Sequence, residues 1–290
     1  MPLRVSTISF LNPAPLLYNF EHEPSRTRLR EHYDVHYTSP SICAAELNSG
    51  TADLGLIPIA SLTPELTIVP GCTIASLDEV RSILLLVKNP SHASIPDALS
   101  SVSSVAADTA SRSSVTYARI LLQHFHCTYP TFVERAADPL AMLASADAAL
   151  LIGDPALLAR EHRAEIEAAI NTPLLWLDLA HLWREHTGLP WVAAVWAVRP
   201  EALSPAGLTP AQLIADLTAS RDAGLAHTEQ LVAEWASRLA ISPATVRTYL
   251  TRNIHYTLDA DCLKAITLFR TLATGIGALP PLPALNLLST

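Results

Sequence analysis

The chain has 290 residues, half of them apolar and 16% charged, with 27 acidic against 19 basic residues for a formal charge of −8. That length suits two domains or two lobes of about 150 residues each, the apolar content excludes a disordered chain, and the acidic balance argues against general binding to a phosphate backbone. Nine glycines are few for glycine-rich phosphate loops, which leaves the 22 prolines to mark most turns.

In chain order, residues 4–9 read as a β-branched strand, followed by a helix that Pro13 or Pro15 can start and whose apolar residues are Leu16, Leu17 and Phe20. Residues 33–38 alternate as a second strand. Ser39 then caps a helix with Pro40 in its first turn and Gly50 beyond its end, and residues 53–57 form a buried strand. Further strands are expected at 82–87, 103–107, 131–134, 148–152, 174–177 and 192–198, with helices between most of them. This alternation implies βαβ units and a largely parallel sheet. From Thr209 onward the pattern is helical alone, with starts at Thr209-Pro210, Thr228, Ser242-Pro243 and Asp259. Two strand ends run into proline, at Lys88-Asn89-Pro90 and at Ala197-Val198-Arg199-Pro200. Taken as crossings, they give a first lobe of residues 1–88 and 198–290, a second of residues 89–197, and a cleft between them as the natural ligand site.

The sequence carries no Gly-x-Gly-x-x-Gly, Walker lysine loop, His-Glu-x-x-His or Gly-x-Ser-x-Gly. Cys43, Cys72, Cys127 and Cys262 stand too far apart for a zinc motif and read as buried thiols in a reducing compartment. His124 and His126, two apart, would face different sides of a helix. Neither metal nor cofactor is expected. Residues 239–250 imitate a helix-turn-helix, but Arg238, Arg247 and Arg252 are thin basic support beside Glu234, so a structural hairpin capped by Ser242 is the better reading and no nucleic-acid partner is expected. The N-terminal stretch, broken by Pro13 and Pro15, has no signal-peptide core, and no apolar run reaches the roughly 18 residues of a membrane span. A cytoplasmic protein without a membrane partner is expected, and its number of subunits stays open.

Six blocks then become informative together. Ser9-Phe10-Leu11-Asn12-Pro13-Ala14-Pro15-Leu16, Gly50-Thr51-Ala52-Asp53-Leu54-Gly55-Leu56-Ile57-Pro58, Val80-Arg81-Ser82, Asp108-Thr109-Ala110-Ser111-Arg112-Ser113-Ser114-Val115, Leu151-Ile152-Gly153-Asp154-Pro155-Ala156-Leu157 and residues 183–196 around Thr187-Gly188-Leu189-Pro190 resemble, in that order, the chorismate dehydratase family of the futalosine route to menaquinone. Tyr249-Leu250-Thr251-Arg252-Asn253-Ile254 resembles the family's C-terminal helical segment. Ala14, Ala110 and Trp191 depart from the residue types expected there.

The resemblance implies a two-lobed α/β fold of the type II periplasmic-binding-protein kind, with a cleft between the lobes and a helical C-terminal segment. It implies loss of water from chorismate, a small-molecule dianion, to give 3-[(1-carboxyvinyl)oxy]benzoate. It also implies Asn12 and Ser82 as the catalytic pair, and Ser111, Arg112, Ser113, Ser114, Gly153 and Asp154 as substrate-binding residues. Read by itself, Asn12 before Pro13 is better taken as a turn or cap residue, an order that the resemblance reverses, and one of the three serines serves as a helix cap, with Ser111 the first choice. If Arg81 and Ser82 lie in a strand, only one can face the cleft, and the resemblance favours Ser82. Gly153 would admit close backbone approach, and Asp154 would cap the next helix. No His or Glu stands in these blocks as a general base. The reaction tolerates that, because expelling the hydroxyl next to an acidified ring proton restores aromaticity, and the substrate's own enolpyruvyl carboxylate can take the proton. The alternatives are a cyclase on dehypoxanthine futalosine, which shares the fold, and a non-catalytic small-anion-binding protein.

Overall fold

The computed structural model describes residues 1–281 and 283–290. Its strands are β1 (Leu3–Ile8), β2 (Tyr33–Thr38), β3 (Leu54–Pro58), β4 (Thr67–Ser76), β5 (Ile83–Lys88), β6 (Ser104–Asp108), β7 (Thr131–Arg135), β8 (Ala148–Ile152), β9 (Leu174–Asp178), β10 (Trp191–Val198) and β11 (His255–Leu258). They form two sheets, in the orders β11-β4-β10-β3-β1-β2 and β7-β6-β8-β5-β9. Strands β3 and β8 are buried along their whole length, as befits sheets covered on both faces.

Each sheet defines a lobe, which agrees with the expected two-lobed architecture. The chain changes sheet between β4 and β5, over residues 77–82, and again between β9 and β10, over residues 179–190. These crossings correct the boundaries at 88 and 197. Strand β5 belongs to the second lobe and β10 to the first, because the prolines after them end strands without changing sheet. Asn89 turns the chain by bonding the Ala93 backbone, and Arg199-Pro200 opens a short 3-10 turn. The sheets are also mixed rather than largely parallel. Strands β5 and β10, the first to enter each lobe after a crossing, run antiparallel to both their neighbours, whereas β1 and β6 run parallel to theirs. A chain arriving straight from the other lobe enters at the opposite end from the sheet's own βα units.

Local side chains set the helix starts. Ser39, Thr209, Ser242 and Asp259 each accept a backbone N–H at a helix start, and Thr209 completes a capping box with Gln212. Helix Ala14–Glu21 lies against helix Pro210–Ala226 so closely that a Cβ on Gly224 would collide with the Pro15 backbone. The helix-turn-helix look-alike is a hairpin tied by Arg247, whose guanidinium grips Glu229 through two bonds of 2.6 Å. The C-terminal part is not helical alone, since β11 pairs with the edge of β4. The thiols expected to be buried are so at Cys43, Cys72 and Cys262, whereas Cys127 is exposed. Among the described residues no helix is long and apolar enough to cross a membrane.

Candidate functional site

The site is built at the two crossings and the loops around them. Asp178 ends β9, and its buried carboxylate accepts the N–H groups of Ala180 (3.0 Å) and His181 (3.3 Å), capping helix Leu179–Thr187 in the second crossing. The same carboxylate accepts the N–H groups of Val80 (3.2 Å) and Arg81 (2.7 Å) in the first. One side chain therefore holds both crossings together. Arg81 sits at φ +65°, in the left-handed region, and β5 begins at Ile83. The strand alternation expected of Arg81 and Ser82 does not occur, because both residues lie in this irregular turn.

Ser82 is 1% exposed, and its Oγ lies 2.8 Å from the hydroxyl of Tyr249, itself buried in the C-terminal segment. Burial pushes the Tyr249 phenol well above its ordinary range, so it stays a neutral donor. The backbone of Ser82 also accepts the N–H of Gly153 at 2.8 Å.

Between the lobes is a cavity of ≈ 50 Å³. Asn12, Arg112, Ser113, Ser114 and Gly153 line it, together with Phe10, Ile83, Trp191 and small apolar residues. Both the Oδ1 of Asn12 and the Nε1 of Trp191 are buried and, among the described residues, have no hydrogen-bond partner. Ser113 is tied across the lobes, donating to the Ala193 carbonyl and accepting the Ala60 N–H, each at 3.2 Å. Tyr117 makes a parallel tie, donating to the Val192 carbonyl and accepting its N–H. Gly153 holds φ +61°, and a Cβ there would stand 2.7 Å from the Phe10 ring, so only glycine fits. The group that requires glycine here is the Phe10 ring of the other lobe.

Three expected site residues lie outside this lining. Ser82 sits behind Ile83 against Tyr249. Asp154 does not cap its helix, which starts at Gly153 with Ile152 in the cap position. Instead its Oδ1 accepts the Leu11 N–H from the other lobe at 2.9 Å, and burial pushes its pKa up to about 6. Ser111 is no cap either, since Arg112 holds that position without a side-chain bond, and among the described residues the buried Ser111 Oγ has no partner. The residue lines an outer hollow that shares Arg112 with the cavity.

Sequence reasoning missed Phe10 as a wall, the Trp191 indole as a donor, and Tyr249 and Asp178 as supports. Phe10 and Trp191 stood inside the quoted blocks. Tyr249 and Asp178 reach Ser82 and Arg81 from 167 and 97 residues away, and nothing local announces such a contact.

The cavity wall thus offers hydrogen-bond donors, one guanidinium and, among the described residues, no carboxylate, imidazole or thiol. Such a lining suits an anion carrying its own base. Among the described residues, His255, Asp259 and Cys262 group closely enough to hold a metal ion, but they lie where β11 leads into the last helix, and none of them lines the cavity. There Asp259 caps the helix and pairs with His255 at 2.8 Å, and burial pushes the Cys262 thiol up to about 12.

The family model described as menaquinone biosynthesis matches residues 3–274. The chain is 31% identical to the chorismate dehydratase of Thermus thermophilus over 231 residues, covering 74% of this chain and 79% of that protein. In fold it is similar to a protein of Archaeoglobus fulgidus (TM-score 0.70, 14% identity, 96% of this chain and 98% of that one). It is also similar to the alkanesulfonate-binding protein of Xanthomonas axonopodis bound to MOPS (TM-score 0.67, 16% identity, 97% and 94%). A third likeness is to a Candida albicans protein with the generic periplasmic-binding-protein fold (TM-score 0.66, 12% identity, 99% and 97%).

Proposed function

The chain belongs to the menaquinone-biosynthesis family, and from that premise we propose that it removes water from chorismate to give 3-[(1-carboxyvinyl)oxy]benzoate, the entry to the futalosine route, in the cytoplasm. The observation that carries this reading is the lining of the interlobe cavity, which supplies donors and positive charge without a side-chain base. Arg112 pairs with one carboxylate of the dianion, and the hydroxyls of Ser113 and Ser114 and the indole N–H of Trp191 surround the other polar groups.

The Asn12 amide, with its acceptor unpartnered, orients the substrate hydroxyl and the enolpyruvyl carboxylate. That carboxylate takes the proton from the ring carbon bearing the ether, the electron pair enters the ring, and the neighbouring hydroxyl leaves with a proton as water. Aromatisation drives the step, so holding the groups in reach is the main catalytic task. Ser82, bonded to Tyr249, sets the position of the backbone that receives Gly153 and presents its own hydroxyl once the lobes separate. Gly153 and Asp154 complete the closed state, and Ser111 guides substrate from outside.

A cavity of ≈ 50 Å³ is smaller than the roughly 300 Å³ or more of a small-molecule pocket, so substrate enters with the lobes opened. Incubating the purified protein with chorismate tests the reading directly. The aromatic product is expected by chromatography and mass spectrometry without added cofactor, and unchanged chorismate would refute the assignment.

A further inference from the structure

Outside the inner cavity lies a second hollow of ≈ 390 Å³, bounded on the first lobe by the 3-10 turn Ile59–Ser61 and residues 277–279. On the second lobe it is bounded by β6, β7 and helix Ser113–Arg119. Its charged groups are Arg112, Arg119, Asp108 and Glu134, its hydroxyl-bearing residues are Ser61, Ser111 and Thr116, and its flat wall is Phe132. The Arg119 guanidinium stacks over the Phe132 ring at 4.7 Å from the centroid. Among the described residues, the arginines held by carboxylates do not include Arg112 or Arg119. Ser111, which lines the hollow, is 6% exposed, and among the described residues its buried Oγ has no partner. Asp108 has one oxygen on the Ala110 N–H, and burial raises its pKa.

We propose that this hollow is a second binding site, for a small cyclic hydroxy-carboxylate, placed at the mouth of the inner cavity with Arg112 common to both. Two free guanidiniums receive the carboxylate, and the Phe132–Arg119 stack receives the ring face. Asp108 and Glu134 accept from the hydroxyl, and the Ser111 hydroxyl gains the partner it lacks. The presence of both charge signs is what selects a ligand with a hydroxyl as well as a carboxylate. Resting on the dehydratase reading, the hollow stages chorismate and favours it over the product, which has lost that hydroxyl. The site therefore gives entry a direction.

The probes are 4-hydroxybenzoate and benzoate, neither of which can be dehydrated, titrated by calorimetry into the intact chain. The hydroxylated probe is expected to bind more tightly, and Arg119→Gln to weaken it by about 10-fold or more, the scale of a charged hydrogen bond. Phe132→Leu weakens it less and serves as the second variant, with melting curves confirming that both fold. Asn12→Ala leaves this binding in place, and Arg119→Gln raises KM for chorismate while kcat stays unchanged. Equal binding of 4-hydroxybenzoate to wild type and both variants would overturn the site, even if chorismate is turned over. Arg119-dependent binding in a protein that leaves chorismate untouched would instead uphold the site and refute the dehydratase reading.

Discussion

The two walls of the inner cavity are unlike. The first lobe contributes Ile8, Phe10, Pro40, Pro58, Ile74, Trp191, Ala193 and Ala194, and its polar groups are the Asn12 amide and the Trp191 indole. From the second lobe come Arg112, Ser113, Ser114 and Gly153, with Ile83, Ala110 and Ile152. Charge thus resides on one lobe and shape on the other. An anion in the open cleft is drawn to the second lobe, where the guanidinium stands. The first lobe then excludes water and adds the two groups that fix orientation. This division separates affinity from turnover, and each variant below tests it at a different point.

The largest effect is expected at Asn12. Asn12→Ala should lower turnover by about 100-fold or more, on the scale of losing one oriented donor, with little change in melting temperature. Ser82→Ala should lose as much rate by freeing Tyr249, and near-wild-type turnover in both variants would sink the assignment of this pair. On the other wall, Arg112→Ala should raise KM by roughly 10-fold to 100-fold with a smaller change in kcat. Steady-state kinetics showing an equal fall in kcat instead would mean that charge and turnover are not divided between the lobes.

Gly153→Ala should follow with a smaller cost. Its Cβ would meet the Phe10 ring in a left-handed conformation, a strain of about 1–3 kcal/mol. Loss of both stability and rate is expected, and adding Phe10→Ala should relieve the collision but not the backbone strain. Denaturant melts of the single and double variants measure the two parts.

The smallest effect concerns pH. Burial raises Asp154 from its ordinary 3.8 to about 6, so the folded chain binds this proton more tightly than the unfolded chain does. The stability linked to this proton is fully present below pH 4 and is lost as pH rises through about 6. Asp154→Asn keeps an acceptor for the Leu11 N–H but cannot titrate. Between pH 4 and 6 the wild type should lose roughly a few degrees of melting temperature relative to this variant. Parallel curves across that window would show that the tie is indifferent to charge.

Much of the fold was legible because its signals are local. Ser39, Thr209, Ser242 and Asp259 cap helices by bonding residues three positions on, and a reader of the chain sees both partners at once. Strand β4 was missed because Pro70 and Gly71 interrupt it. The structure accommodates them with irregular pairing against β10 and β11 and with Gly71 at φ +96°. The crossings were displaced because proline reports where a strand ends and not which sheet the next one joins. At the site, Asn12, Arg112, Ser113, Ser114 and Gly153 were brought together as the six blocks suggested. The orientation of Ser82 was not legible, since it depends on Arg81 taking a left-handed conformation that Asp178 holds from the end of the neighbouring strand β9.

Asp178 also decides how the two lobes can move. Two connecting segments with independent ends would allow the lobes to swing, twist and slide. Pinned side by side by a single carboxylate, the segments resist twisting and sliding past each other, which favours rotation about the line where they meet. The cleft then opens as a book does about its spine, and whatever enters meets the same two pages in the same register each time they close.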